Sequence, residues 1–322
     1  MDYVSFGRCG LKVSRLCMGT MTFGDQADES ESARMVACAL ESGINFFDTA
    51  DIYNTGASEE VLGRALKGRR DEVVVATKVF SPMGPDPNDR GLSRRHILRA
   101  AEDSLRRLGM DHVDLYQLHQ PDYSTPLEES LSALDQLVRE GKTRYVGVSN
   151  YAAWQICRAM SVCDRRNWAP IVSVQPMYNL LARGIEQELL PFCGEMGLAT
   201  MAYNPLAGGL LTGKHPKGKP PAEGTRFALK EMYRDRYWHP RLFDAAEALR
   251  SIAEQAGLSM IELALRWLLA REGVTCVILG ASSLAQLDED LAACAGELPA
   301  DVVAACDDVW EDLRGPIPFY NR

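Results

Sequence analysis

Gly43-Ile44-Asn45-Phe46-Phe47-Asp48 reads as a helix stop, a short apolar run and, directly after it, a carboxylate. Upstream, Ala33, Val36, Ala37 and Leu40 form a helical stripe that follows the capping-box spacing of Asp28 and Glu31 and ends at Gly43. The run itself does not alternate polar with apolar residues, as a strand covered on both faces requires. Seven more runs of this kind occur, at 16–18, 73–76, 113–116, 145–148, 171–174, 199–202 and 276–279. Between them lie further helical stripes. Ile97, Ala101, Ser104, Leu105 and Leu108 start from Ser93 and stop at Gly109; Leu127, Leu131, Leu134 and Val138 stop before Gly141. Leu242, Ala245, Leu249 and Ile252 continue the series, and Ser259 with Glu262 spells another capping box.

Most run centres are 27 to 41 residues apart, the length of a strand, a crossover helix and two loops. Eight such units predict an α/β fold, a closed (β/α)8 TIM barrel over residues 1–322 as a single domain, in preference to a doubly wound open sheet. A typical barrel needs ~250 residues, so the excess must have a place. A polar-apolar segment from Val4 to Val13, broken by Arg8-Cys9-Gly10, predicts a hairpin closing the barrel bottom. After the seventh strand, the interval from 200 to 277 is too long for one crossover and carries Gly208, Gly209, Gly213, Gly218, Pro220, Pro221 and Gly224. It predicts a long surface loop of functional kind.

The composition narrows the function. Over 322 residues, 35 Lys and Arg against 44 Asp and Glu leave a charge of −9, which argues against a nucleic-acid groove. No apolar run is long enough to span a membrane, and Met1-Asp2-Tyr3-Val4 lacks the basic start of a secretory signal. Nine cysteines, an odd number without a C-x-x-C, predict free thiols in a reducing, cytoplasmic compartment. Nothing in the chain sets an oligomeric state.

In a barrel the chemistry gathers at the C-terminal ends of the strands. Those positions here are Gly19-Thr20, Asp48, Lys78, His119, Ser149-Asn150, Gln175, Tyr203-Asn204 and Gly280-Ala281-Ser282. Tyr53 lies five residues past Asp48, in the same loop. A Tyr hydroxyl, with a pKa of ~10, is a poor acid near neutrality unless its phenolate is stabilised. Lys78 supplies that stabilisation, Asp48 holds Lys78 charged, and His119 donates a hydrogen bond to a carbonyl oxygen. The four predict a proton-delivery site for a carbonyl becoming an alcohol.

From Gly19-Thr20-Met21-Thr22-Phe23-Gly24 to Leu279-Gly280-Ala281-Ser282, the chain resembles the aldo-keto reductases. The residues that carry the likeness are Gly43 to Tyr53 followed by Gly56 and Ser58-Glu59, then Thr77-Lys78 and Asp114-Leu115-Tyr116-Gln117-Leu118-His119. Gly147-Val148-Ser149-Asn150 and Gln175-Pro176-Met177-Tyr178-Asn179 complete them. The branch resembled is the bacterial one related to potassium-channel β subunits. The resemblance implies a catalytic tetrad of Asp48, Tyr53, Lys78 and His119, a small-molecule carbonyl substrate (aldehyde, ketone or keto-sugar), and NADP(H) as cofactor. It agrees with the absence of a G-x-G-x-x-G after any strand.

By resemblance, Ser149, Asn150 and Gln175 hold the nicotinamide amide and Tyr203 stacks on its ring. Gly19, Thr20, Met21 and Asp48 line the same site. Asn204, Leu206 and Gly208 belong to the cofactor-covering loop, in which Asn204-Pro205-Leu206 replaces the family's Ser-Pro-Leu. Arg226 matches the family's grip for the 2′-phosphate, and Lys214 matches a nearby loop Lys. Gly280, Ser282, Gln286 and Glu289 frame phosphate and adenine, and Asp290 stands where relatives commonly carry Asn. Pocket walls are expected from 79–91, 120–126 and the tail 315–322.

Other readings compete. A Lys at a strand end suits a Schiff-base aldolase through Lys78, and the channel-subunit likeness allows an NADP(H)-binding redox sensor with slow turnover. Gly208 to Gly213-Lys214 has P-loop spacing, but His215 stands where the metal-binding hydroxyl belongs. No H-E-x-x-H or Cys/His cluster predicts a metal. Phe227, Tyr233, Tyr237 and Trp238, interleaved with Arg226, Arg234, Arg236 and Arg241, suggest a lid over cofactor or substrate in preference to a nucleic-acid platform.

Overall fold

In a computed structural model, which describes residues 1–317, the eight runs are strands of one closed parallel barrel. An antiparallel hairpin, β1 (Tyr3–Ser5) and β2 (Lys12–Ser14), precedes it. The barrel strands are β3 (Leu16–Gly19), β4 (Phe46–Asp48), β5 (Val74–Val79), β6 (Val113–Leu118), β7 (Thr143–Ser149), β8 (Ile171–Gln175), β9 (Ala199–Ala202) and β10 (Cys276–Leu279). They pair in chain order, and β10 closes on β3.

Crossover helices α1 (Glu29–Glu41), α2 (Ala57–Ala65), α3 (Arg94–Leu108), α4 (Leu127–Arg139), α5 (Ala153–Arg166) and α6 (Leu189–Met196) follow β3 to β8. Two short helices, α7 (Arg226–Leu229) and α8 (Glu231–Tyr237), then α9 (Pro240–Gln255) and α10 (Met260–Ala270), connect β9 to β10. The chain continues in α11 (Leu284–Ala293) and α12 (Ala300–Arg314).

Alternation along the strands divides the core. Cys17, Phe46, Ala76, Leu115, Ala199, Met201, Cys276 and Ile278 fill the barrel, while Met18, Phe47, Val75, Val79, Tyr116 and Leu118 face the helices. The hairpin closes the barrel bottom as expected: Phe6 is fully buried, edge-on to Phe46 with ring centroids 5.6 Å apart.

The expected helix ends are mostly found. The Ser93 hydroxyl accepts from His96 N–H at the start of α3, and Gly109 ends that helix in a left-handed conformation. Ser259 and Glu262 form a complete capping box. At α1 the box is half made. The Asp28 carboxylate caps the Glu31 N–H, but the Glu31 carboxylate instead accepts from Arg34 and from the Leu284 N–H. The α1 stripe is also rotated: Ser32, Met35, Val36 and Ala39 are buried, and Ala33 and Ala37 are exposed. Alanine is a good helix former on either face, whereas Met35 gains from burial.

The expected surface loop after β9 is a packed segment with its own short helices. Phe227, Tyr233 and Tyr237 are buried, so these aromatics face inward and offer no exposed stacking platform.

Gly63 shows how tightly α2 meets α3. A Cβ there would lie 2.1 Å from the Leu108 carbonyl oxygen, a backbone atom with no room to give. Gly63→Ala would gain about 1 kcal/mol of helix propensity, but overpacking costs about 1–3 kcal/mol and more against backbone. The expected outcome in urea unfolding is a lower midpoint; a raised midpoint would refute this contact.

Candidate functional site

The inward positions at the strand ends converge on one cleft of about 1230 Å³ at the mouth of the barrel. Asp48 ends β4, Lys78 lies in β5, His119 follows β6, Ser149 ends β7 and Gln175 ends β8. Tyr203 follows β9 and Gly280 follows β10.

The floor is an ion pair. Lys78 is fully buried and Asp48 nearly so, with Lys78 Nζ donating to Asp48 Oδ2 at 2.5 Å. Lys78 also donates to the Thr49 carbonyl oxygen at 2.7 Å and to the Tyr53 hydroxyl at 3.3 Å. The second oxygen of Asp48 accepts from Gln117 at 3.1 Å and Gln175 at 2.9 Å. Such a pair repays its desolvation only when its remaining lone pairs and protons are satisfied, as here. Burial alone would lower the Lys78 pKa; Asp48 and Tyr53 outweigh it and raise it. A fully buried, charged amine with three acceptors is a poor Schiff-base nucleophile, which disfavours the aldolase alternative.

Tyr53 opens a tight turn, Tyr53–Gly56, in which Asn54 and Thr55 have φ of 50° and 55°. Left-handed backbone is unfavourable for Thr, and the Asn54 amide anchors it by donating to the Met21 and Phe23 carbonyl oxygens at 3.0 and 2.7 Å. The turn brings the phenol to Lys78, whose ammonium lies 4.9 Å from the ring centroid. The expected lowering of the Tyr53 pKa is only one contribution. Burial raises it, Lys78 opposes, and the net direction is up. The hydroxyl therefore stays protonated, with a cation ready to stabilise the oxygen once the proton leaves.

His119 packs edge-on to Tyr53, centroids 5.9 Å apart. Its carbonyl oxygen accepts from the Asn150 amide at 2.9 Å, and the Asn150 oxygen accepts from the Tyr203 hydroxyl at 2.8 Å. The Ser149 hydroxyl donates to the Gln175 carbonyl oxygen. These polar side chains are thus locked to one another around the cleft floor. Asn204 has φ of 63°, a conformation that suits Asn better than Ser. Its amide donates toward the Tyr237 hydroxyl at 3.4 Å, so part of its bonding capacity is spent on the loop.

Every residue expected to hold a cofactor lines this one cleft. Gly19, Thr20, Met21, Asp48, Ser149, Asn150, Gln175 and Tyr203 form its floor and near wall; Asn204, Leu206, Gly208, Lys214 and Arg226 come from the segment after β9. Gly280, Ser282, Gln286, Glu289 and Asp290 form the end at β10 and α11. The Gln286 side-chain oxygen accepts from both the N–H and the hydroxyl of Ser282. Asp290 is buried, and desolvation, with Glu289 adding to it, pushes its pKa up to about 7. Gly208, Gly209 and Gly213 all have positive φ, and a Cβ on Gly208 would lie 2.9 Å from Tyr233. Of the expected pocket walls, Ser81 and Gln120 reach the cleft, and 318–322 lie outside the described residues.

Sequence reasoning missed Gln117, although alternation along β6 places it inward between Leu115 and His119. It also missed Asn54 as the anchor of the Tyr53 turn; Tyr233, expected in a lid, lines the cleft, and its hydroxyl donates to the Met21 sulfur at 3.7 Å. Asp51 is a further buried carboxyl; burial and Glu59 push its pKa up to about 8. Glu59 itself accepts from Thr77 and Arg107. Among the described residues no group of three or more His, Cys, Asp or Glu is placed to hold a metal, and no helix is long and apolar enough to cross a membrane.

Comparison with known proteins gives one family. The model of the aldo/keto reductase family matches residues 15–311. A probable voltage-gated potassium channel subunit beta of Arabidopsis thaliana is 39% identical over 301 residues, 91% of each chain. The uncharacterized oxidoreductase YrpG of Bacillus subtilis (strain 168) is 39% identical over 330 residues, 99% of this chain and 98% of the relative. Aflatoxin B1 aldehyde reductase member 2 of Rattus norvegicus is 39% identical over 325 residues, 95% of this chain and 87% of the relative.

The electrostatics at His119 generate a pH prediction. Burial, with Lys78 adding to it, pushes the His119 pKa down to about 3. The unfolded imidazole titrates near 6.5, so on acidification the folded chain takes up fewer protons at this ring. The stability that depends on the neutral ring is full above pH ~6.5 and declines as pH falls from there toward 3. His119→Asn is therefore expected to lose less stability than the parent chain between about pH 7 and about pH 4.5. Urea midpoints at the two pH values check this; equal losses would mean that the ring titrates normally.

Proposed function

From the premise that this chain belongs to the aldo/keto reductase family, we propose that it is an NADP-dependent oxidoreductase that reduces an aldehyde, ketone or keto-sugar carbonyl to an alcohol, with Tyr53 as general acid. The observation that carries this reading is the Tyr53–Lys78–Asp48 chain beneath the cleft: a protonated phenol held against a buried ammonium that is itself held by a carboxylate.

A reduced nicotinamide, when bound, supplies the hydride. The residues of this chain supply orientation and the proton. Tyr53 gives its hydroxyl proton to the carbonyl oxygen, and Lys78 stabilises the phenolate left behind. Asp48 keeps Lys78 charged and fixed, and Gln117 and Gln175 fix Asp48. His119 is neutral, so its contribution is one ring N–H donated to the same carbonyl oxygen and not a charge.

The donor set fits a dinucleotide phosphate. Lys214 and Arg226 line the cleft without a carboxylate partner among the described residues, and Gly208 and Gly209 bring backbone close to the cleft. Arg226 lies beside Gly280, where a Cβ would be 4.0 Å from its guanidinium. Ser149, Asn150 and Gln175 support a nicotinamide amide and Tyr203 its ring. Asp290, with its pKa near 7, retains in its protonated form the donor that an Asn would provide to adenine.

Two substitutions test this. Tyr53→Phe keeps the ring and removes the proton, so carbonyl reduction, followed by NADPH absorbance across a panel of aldehydes, diketones and keto-sugars, should fall by ~10²-fold or more. Turnover like that of the parent would remove Tyr53 from the mechanism. Arg226→Ala should weaken NADPH by roughly ten- to a hundredfold, the value of a charge-assisted contact, and leave NADH nearly untouched. Fluorescence titration with each cofactor decides it, and equal losses would show that Arg226 does not read the 2′-phosphate.

A further inference from the structure

Behind the Tyr53 turn lies a second set of buried charges that the reading above leaves without a task. Glu59, in α2, has no exposure to solvent. One of its oxygens accepts from the Thr77 hydroxyl at 2.5 Å, and the other accepts from Arg107 Nε, in α3, at 2.6 Å. Thr77 directly precedes Lys78 in β5. The Arg107 side chain in turn lies against Gly56, which closes the turn that Tyr53 opens: a Cβ there would be 2.6 Å from Arg107 Cδ and 2.9 Å from Nε. Gly56 has φ of 91°, so the turn uses the one residue type that both takes this backbone conformation readily and admits the arginine. One ion pair therefore touches the turn that carries the phenol and the strand that carries its cation.

Asp51 stands two residues before Tyr53, and its N–H donates to the Lys78 carbonyl oxygen at 3.2 Å. Its side chain is fully buried, and among the described residues neither carboxyl oxygen has a hydrogen-bond partner. The charged and titratable groups that act on it come from four elements: Glu59 of α2, Arg107 of α3, Lys78 of β5 and Tyr116 of β6. Both cations are already taken, Lys78 by Asp48 and Arg107 by Glu59. Three carboxyl groups thus share two cations, and the one without a donor is the one that stays protonated. Burial and Glu59 push its pKa up to about 8, in keeping with that count. Once ionised, Asp51 gains a counter-charge only by drawing Arg107 away from Gly56 or Lys78 away from the phenol.

We propose that the Glu59–Arg107 pair and Asp51 form a positioning cluster for Tyr53: with Asp51 neutral the cluster holds the phenol in its proton-delivering place against Lys78, and ionisation of Asp51 releases it. The proposal rests on the carbonyl-reductase reading for its consequence in turnover, but the placement of the phenol can be read without turnover.

The test labels the tyrosine Cζ atoms with carbon-13 and assigns the Tyr53 resonance by its loss in Tyr53→Phe. That resonance is then followed from about pH 6.5 to about pH 9.5 in the parent chain, Asp51→Asn and Arg107→Met. Burial raises the Tyr53 pKa, so the phenol itself stays protonated over this range. The resonance should move in the parent with a midpoint near the Asp51 value of about 8, stay still in Asp51→Asn, and be displaced already at the lowest pH in Arg107→Met. The kcat of carbonyl reduction should fall with the same midpoint in the parent and not in Asp51→Asn. Arg107→Met should lower kcat roughly ten- to a hundredfold and leave NADPH affinity within about twofold. In the Tyr53→Phe background it should cost almost nothing further, because the hydroxyl it places is gone. A parent resonance that does not move, or one that moves equally in Asp51→Asn, would overturn the proposal. So would lost stability in Arg107→Met with an unmoved resonance, or a kcat penalty that persists in full in Tyr53→Phe. Absence of turnover with every carbonyl compound would count against carbonyl reduction, and the resonance would still decide the cluster. Should Asp51→Asn not fold, the parent's titration and Arg107→Met carry the same decision.

Discussion

A lysine ammonium with no exposure to solvent is tolerable only if its surroundings replace water almost completely. Around the Lys78–Asp48 pair the replacement is assembled from four strands: Lys78 in β5 donates to Asp48 and Thr49 at the end of β4, and Gln117 in β6 and Gln175 in β8 donate to the other oxygen of Asp48. None of these contacts is local in sequence, so a register slip of one residue in any of these strands would turn the partner side chain outward and strand a buried charge. The barrel therefore does more than present the site. The requirement to satisfy this ion pair ties the strand register, and with it the position of Tyr53 and His119, to a single solution.

The same alternation explains how much of the site was legible beforehand. Phe46 and Asp48, Ala76 and Lys78, and Leu115, Gln117 and His119 are successive inward residues, so apolar runs that predict strands also predict which polar residues reach the mouth. All eight strands and the hairpin follow from that pattern. Gln117 escaped because an amide inside an apolar run looks like any buried polar residue, and its role appears only when β5 and β6 are placed side by side with Lys78 opposite Gln117. The rotated face of α1 escaped for a different reason: alanines carry little information about which side of a helix is buried, and the single large Met35 decided it.

Least legible was the segment between β9 and α9. Its Gly and Pro content predicts a loop, and neither periodicity nor propensity marks α7 or α8. What orders them is tertiary. His215, Phe227, Trp238 and Phe243 form a chain of edge-on rings with successive centroids 4.9 Å apart, and five glycines at positive φ, Gly208, Gly209, Gly213, Gly218 and Gly224, let the backbone of the segment turn. Short helices of four and seven residues have no stability of their own. Their place over the cleft is set by side chains that the sequence shows only as a scatter of aromatics.

That dependence has a consequence for specificity. Tyr233 is one point at which the ordered segment touches the rest of the site: its hydroxyl reaches Met21 beyond β3, and both Arg226 and Arg236 lie near its ring. One aromatic side chain thus lies beside two cations that line the cleft. Their charge is long-ranged, but the contacts that position it are short-ranged packing contacts in a segment with little intrinsic structure. Substitutions that loosen the ring cluster around His215 and Phe227, though distant in sequence from Tyr53, would therefore act first on what the cleft binds. The ion pair beneath the floor, whose partners all belong to the barrel, would be affected last.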